Sequence, residues 1–255
     1  FYGTVINSAY GIAQQVVGAV QFISVSILNA FNPQIMKAEG AGDRNKMIVM
    51  SEYVSKYSFL LLAMVAIPLI AEMDTILQLW LGEVPEYSSI FCQLILIAAL
   101  CDQLSVGLTS ANQAIGNIRN YTLIFYTLKL MVLIIGWVCL YFGMSVASIL
   151  WCYVGIELFT SLLRLPLMKW IADIPILPFC KHVFGRIIIP LIVMCSVCII
   201  CVRYIQTPYR LVITIGLSVV IGGISIWLTA INKQEKEIII QSLNRFIPHN
   251  AKRHS

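Results

Sequence analysis

The sequence predicts an all-α integral membrane protein of about seven transmembrane helices, and three observations carry that expectation. Hydrophobic residues fill 59% of the 255 positions, and only 11% are charged, where soluble domains carry about 25%. Mean hydropathy is +0.86. Apolar runs long enough to cross a bilayer recur along the chain with short links between them.

Taken in order, the runs predict helices over roughly Val5–Phe31, Tyr53–Ala71, Ser89–Ala111, Tyr121–Phe142, Met144–Met168, Val183–Tyr204 and Leu211–Ile231. The first holds no charged side chain, yet Asn7, Gln14 and Gln21 recur every seven residues, with Gly11 and Gly18 on the same stripe. Two helical turns return each amide to nearly the same face. Amides are costly in hydrocarbon unless they meet protein or water, so this face should look into a bundle or a wet cavity. The turn from Pro33 to Arg44 is expected to end that span. Arg186 and Pro190 mark the start of the sixth run. Beyond Lys233, Ile239, Leu243, Phe246 and Ile247 lie at helical spacing among polar residues, which predicts an amphipathic helix on the cytoplasmic face.

The links alternate in charge. Lys37, Arg44 and Lys46 lie in the first, Arg119 in the third, and Lys169, Lys181 and Arg186 in the fifth. The tail adds Lys233, Lys236, Arg245, Lys252 and Arg253. The second link carries Glu72, Asp74, Glu83 and Glu86 with no Lys or Arg, and the sixth only Arg203 and Arg210. The positive-inside rule then puts the first link and the C-terminus in the cytoplasm. The net charge of +5 follows this topology, so it does not point to nucleic acid. Trp80, Tyr87, Tyr141, Trp170, Tyr204 and Tyr209 fall near the expected interfaces, as an aromatic belt requires.

Seven of the eight cysteines lie in apolar runs and act as small hydrophobes. Cys195, Cys198 and Cys201 share a helix face without a fourth ligand or nearby His, so no metal is expected. The chain has no phosphate-cradling Gly-x-x-x-x-Gly-Lys loop, no Ser/His/Asp arrangement and no implied cofactor. An enzyme reading therefore has little support.

Three ionisable residues sit deep in spans. At 1.5 Å per residue, Asp102, Lys129 and Glu157 lie about 14, 12 and 16 Å from the cytoplasmic ends of their helices. Such residues usually face a bundle interior and find partners. They form either a polar cluster lining a transport path or an Asp102–Lys129 ion pair that locks a hairpin. In the first reading Lys129 faces a cavity and attracts an anionic headgroup, balanced by Asp102 or Glu157. Arg164 is close enough to its helix end to snorkel, and is expected to be an interfacial anchor.

The motifs Asn7-Ser8-Ala9-Tyr10-Gly11-Ile12-Ala13, Ala30-Phe31-Asn32-Pro33-Gln34-Ile35-x-Lys37, Gly42-Asp43-Arg44 and Ile76-Leu77-x-Leu79-Trp80-Leu81-Gly82-x-Val84-Pro85-x-Tyr87 resemble the polysaccharide flippase branch of the multidrug/oligosaccharidyl-lipid/polysaccharide exporter superfamily. The resemblance implies the second lobe of a 12–14-helix exporter bundle. On that template residues 1–168 are a partial transport lobe of five spans, 169–231 two additional spans, and 232–255 a cytoplasmic tail. It also implies a C-terminal part of a longer protein, lacking the first lobe.

The implied activity is the movement of an undecaprenyl-pyrophosphate-linked oligosaccharide across the bacterial cytoplasmic membrane for capsule or lipopolysaccharide assembly. Membrane lipids are the other expected partners. The implied substrate path comprises Asn7, Tyr10, Gln14, Gln21, Asp102, Lys129 and Glu157. Its amides either bond sugar hydroxyls or hold helices together. Two rival readings stay open: a cation-coupled multidrug antiporter, with Asp102 and Glu157 carrying the coupling ion, and a non-transporting membrane scaffold subunit.

Overall fold

The computed structural model describes residues 3–232 and 235–237. Among them the chain is all helix and connection: α1 (Gly3–Gly40), α2 (Arg44–Ala71), α3 (Met73–Leu81), α4 (Ser88–Gln103), α5 (Val106–Ile115), α6 (Ile118–Tyr141), α7 (Ala147–Ala172), α8 (Ile176–His182), α9 (Phe184–Tyr204) and α10 (Arg210–Ser225), which ends in a π-helical turn, Ile226–Ala230. Six stretches are long and apolar enough to cross a membrane, and the bent pair α4–α5 makes a seventh if it counts as one span. The fold is that of an all-α, multi-pass membrane protein.

Three boundaries differ from the sequence expectation. Helix α1 does not stop near Pro33 but runs through it to Gly40. Proline removes one backbone hydrogen bond, a loss that a long helix packed on its neighbours can absorb. The reversal comes instead at residues 40–43, where Gly42 takes φ +75° and Asp43 accepts from the Lys46 amide at 3.1 Å. That cap lets α2 begin at Arg44 rather than Tyr53, burying Met47, Ser51 and Glu52. The third run, expected as one helix, breaks between Gln103 and Val106 with a 47° bend.

Helix α2 is the hub of the bundle, packing against α1, α4, α5, α9 and α10. Helix α7 packs on α4, α5 and α6, and α6 rests chiefly on α7. The outer face of α6 therefore stays bare, with Tyr126, Leu130, Leu133, Trp137 and Tyr141 exposed. The crossing of α5 on α2 is close because it passes at Gly107: a Cβ there would meet the Ser51 carbonyl oxygen at 1.9 Å. The Gly107 amide instead donates to Ser55 Oγ at 3.0 Å. The aromatic belt residues are exposed at helix ends, Trp170 at 82% and Tyr141 at 76%. Most of the expected C-terminal amphipathic helix, including Ile239, Leu243, Phe246 and Ile247, lies outside the described residues.

Candidate functional site

The site grows from the break between α4 and α5. When a helix breaks inside an apolar bundle, its freed carbonyls need new donors, because each unsatisfied group costs several kcal/mol in hydrocarbon. Here α7 supplies them. Ser161 Oγ donates to the Cys101 carbonyl at 2.5 Å. Arg164 Nη1 donates to the Asp102 carbonyl at 3.2 Å and to Ser105 Oγ at 3.3 Å. The hydroxyls of Ser105 and Ser161 lie 2.8 Å apart, and the Arg164 guanidinium stands over the Phe125 ring at 5.6 Å. Ser161 and Arg164 are three residues apart and share one face of α7.

The charges then alternate outward from the break. Arg164 Nη2 lies 2.8 Å from Asp102 Oδ1. Lys129 Nζ lies 3.9 Å from that same oxygen and 2.8 Å from Glu157 Oε1. Two cations and two carboxylates balance, which is the arrangement under which charges persist at membrane depth. The Glu157 carboxylate is sealed off, while the Lys129 side chain remains 34% exposed.

The structure brings together Asp102, Lys129 and Glu157, as the sequence suggests, but with two changes. The nearest partner of Lys129 is Glu157, so the tighter pair ties α6 to α7 rather than α6 to α4. Arg164 is no interfacial anchor. Helix α7 continues to Ala172, which leaves Arg164 about 12 Å from its end. Asp102 and the open carbonyls of the break then hold it inside, 6% exposed.

Tyr10 also reaches this region. With Tyr126, Lys129, Leu133, Leu150 and Tyr153 it lines a cleft of about 510 Å³ between α1, α6 and α7. The amides do not join the cluster. Ala9, Ala13, Val17 and Val20 form the buried face of α1, so Asn7, Gln14 and Gln21 are left exposed. They share an arc of about 60° with Tyr10 and extend the exposed face away from the cleft.

Two further ion-pair clusters escaped the sequence reading. Near the middle of α2, Lys56 Nζ bonds both oxygens of Glu235 at 2.7 and 2.8 Å. Both side chains are almost fully buried. Arg186 Nη1 and Lys56 Nζ also donate to the Ala230 carbonyl, at 3.3 and 3.4 Å. His182 Nδ1 lies 3.0 Å from Glu52 Oε2 beside them. Burial works to raise the Glu235 pKa, but the Lys56 ammonium and the Asn232 amide outweigh it and hold the carboxyl below its ordinary value. At the far end of α2, Glu72 accepts from Arg210 Nη2 and Thr214 Oγ1 at 2.8 and 3.1 Å. A charge inside or at the edge of an apolar run was the available signal at Lys56, Glu72 and Arg164. Partners 179, 138 and 62 residues away had none.

Among the described residues no group of three or more His, Cys, Asp or Glu side chains is placed to hold a metal. No family model, curated protein or solved structure matches the chain. Its class rests on the fold: an all-α chain whose long apolar helices suit several membrane crossings, with a balanced charge cluster at their centre.

Proposed function

We propose that the chain moves a lipid-linked oligosaccharide across the bacterial cytoplasmic membrane for surface polysaccharide assembly, with the cleft between α1, α6 and α7 on its path. One observation carries this reading. Lys129, a cation at membrane depth, stands one-third exposed on the wall of a cleft large enough for part of an amphiphile, between two carboxylates. A lysine so placed can meet an incoming anion on its exposed side while Glu157 and Asp102, at 2.8 and 3.9 Å, keep it paired in low dielectric.

Tyr10, Tyr126 and Tyr153 offer aromatic faces and hydroxyls to sugar rings. The exposed amides of Asn7, Gln14 and Gln21 extend a hydrogen-bonding stripe along α1. The basic links orient the first reversal and the chain's last helix end toward the cytoplasm.

The test is Lys129→Ala in cells that carry the gene. Surface polysaccharide should be lost while the protein stays abundant in the membrane fraction. Loss of the protein itself would show that the lysine only holds α6 to α7, and normal polysaccharide would remove Lys129 from the path.

A further inference from the structure

Helices α6 and α7 are joined by a short reversal, residues 142–146, that carries no charge. Its backbone is closely specified. The Gly143 amide donates to the Leu140 carbonyl and the Met144 amide to the Cys139 carbonyl, each at 3.0 Å, with Gly143 at φ +73°. These two bonds close α6 and satisfy carbonyls that a helix end otherwise leaves open. The hydroxyl and the amide of Ser148 both donate to the Ser145 carbonyl, at 2.6 and 2.9 Å, and start α7. The turn thus fixes how the two helices meet.

Two thiols, thirteen positions apart in the sequence, are brought face to face by that turn. Cys139 Sγ lies 3.9 Å from Cys152 Sγ, and both residues are only partly buried. Cys139 stands about 3 Å from the end of α6 and Cys152 about 8 Å from the start of α7, so both lie near one membrane surface. A disulfide holds its sulfurs about 2.05 Å apart, which each thiol reaches by moving about 1 Å.

The side of the membrane decides whether they are oxidised. The opposite ends of these two helices carry Arg119 and Lys169, whereas the reversal has no Lys or Arg. The positive-inside rule therefore puts the reversal on the outer side. Outside the cytoplasm thiols meet an oxidising compartment, in which disulfides form and persist.

We propose that Cys139 and Cys152 are a modification site, oxidised on the outer side of the membrane to a disulfide that staples α6 to α7. The oxidant is a disulfide-bearing thiol oxidoreductase of that compartment. One thiolate of the pair attacks the oxidant's disulfide, and the second then displaces the oxidant from the mixed disulfide. The two protons and two electrons of the thiols end on the oxidant, which leaves as a dithiol. The bond joins helices that the Lys129–Glu157 pair already ties about 15 Å further in. It needs only this topology, and holds whether or not the cleft carries a lipid-linked sugar.

The test quenches cells in acid and denatures the full-length protein in a maleimide, so that free thiols are capped before any can oxidise. Trypsin then releases Leu130–Arg164, which contains Cys139 and Cys152 and no other cysteine. In most molecules this peptide should carry no label and weigh two hydrogen atoms less than the free dithiol. After reduction it should take two labels. Cys139→Ser should leave Cys152 labelled without reduction, while Cys101→Ser should leave the mass deficit unchanged. Reduction of the purified protein should also speed amide exchange over residues 136–141 at least threefold, and change nothing in Cys139→Ser.

Two labels on the unreduced peptide would show that the thiols stay free in the cell, and the site would fall. A reducible dimer of the peptide would place the bond between copies and overturn the hairpin pairing. Unchanged exchange on reduction would remove the staple.

Discussion

Arg164 gives both terminal nitrogens to one residue: Nη2 sits 2.8 Å from Asp102 Oδ1 while Nη1 donates to the Asp102 carbonyl at 3.2 Å. One guanidinium thus neutralises a side chain and caps the helix break that the same residue borders. Only the forked, planar head of arginine can do both.

Replacing Arg164 with Met should therefore cost about 3 kcal/mol. That is the low end for breaking a buried pair, because Asp102 is partly exposed. Arg164→Lys should recover the charge but not the second bond, and fall in between. Unfolding of the purified variants in detergent measures both. In a cycle with Asp102→Asn the double variant should lose less than the sum of the two single losses, since they share one interaction.

Gly107→Ala puts a methyl group against the Ser51 carbonyl, a backbone atom that cannot turn aside. It should destabilise by at least about 1–3 kcal/mol, the usual range for overpacking. Gly136→Ala meets only the Ile149 side chain and should change unfolding little. The contrast between the two in one thermal-melt experiment is the check.

The Glu72–Arg210 pair should respond asymmetrically. Glu72 has no exposed side-chain surface, whereas Arg210 is 33% exposed. Arg210→Met strands a buried carboxylate and should cost about 3 kcal/mol. Glu72→Gln leaves a cation that still reaches water and Thr75, and should cost about 1 kcal/mol. Equal losses in the two melts would contradict this.

The Lys56–Glu235 contact should be acid-sensitive. A carboxyl held below its ordinary value contributes stability that is full above the unfolded value, about 4.3, and is lost as pH falls through the depressed folded value. Between neutral pH and about 5 the segment around Glu235 should therefore stay protected, and open only below that range. Amide exchange at residues 230–232 and 235–237 measures this. Glu235→Gln should expose the segment already at neutral pH.

Much of this architecture is legible in the sequence because hydrophobic length is a local property. The runs at Tyr121–Phe142 and Leu211–Ile231 each lie within a residue or so, or a few residues, of the helices that form. What was not legible depends on distant partners. No Pro marks the break at Ser105, and Gly107 two residues on is a weak signal by itself; the break is stabilised because Ser161 and Arg164, on another helix, satisfy the freed carbonyls. The helix through Pro33 was missed because proline is a strong stop signal in water and a weak one in a packed apolar bundle. The clustering of Asp102, Lys129 and Glu157 could be anticipated, since deep charges must pair. Which of them pairs most closely depends on how α6 leans on α7.

Lys56 and Glu72 lie about 24 Å apart on the hub helix α2, and each grips the C-terminal part of the chain, at Glu235 and at Arg210. A plank nailed at one point can pivot; nailed at two, it cannot. Helix α10 and the segment after it are bound to α2 in this second way, and α9 packs against both, so the three form one block. Helix α1 packs on that block through α2, so of the cleft's walls α6, held chiefly by one neighbour, is the most easily displaced.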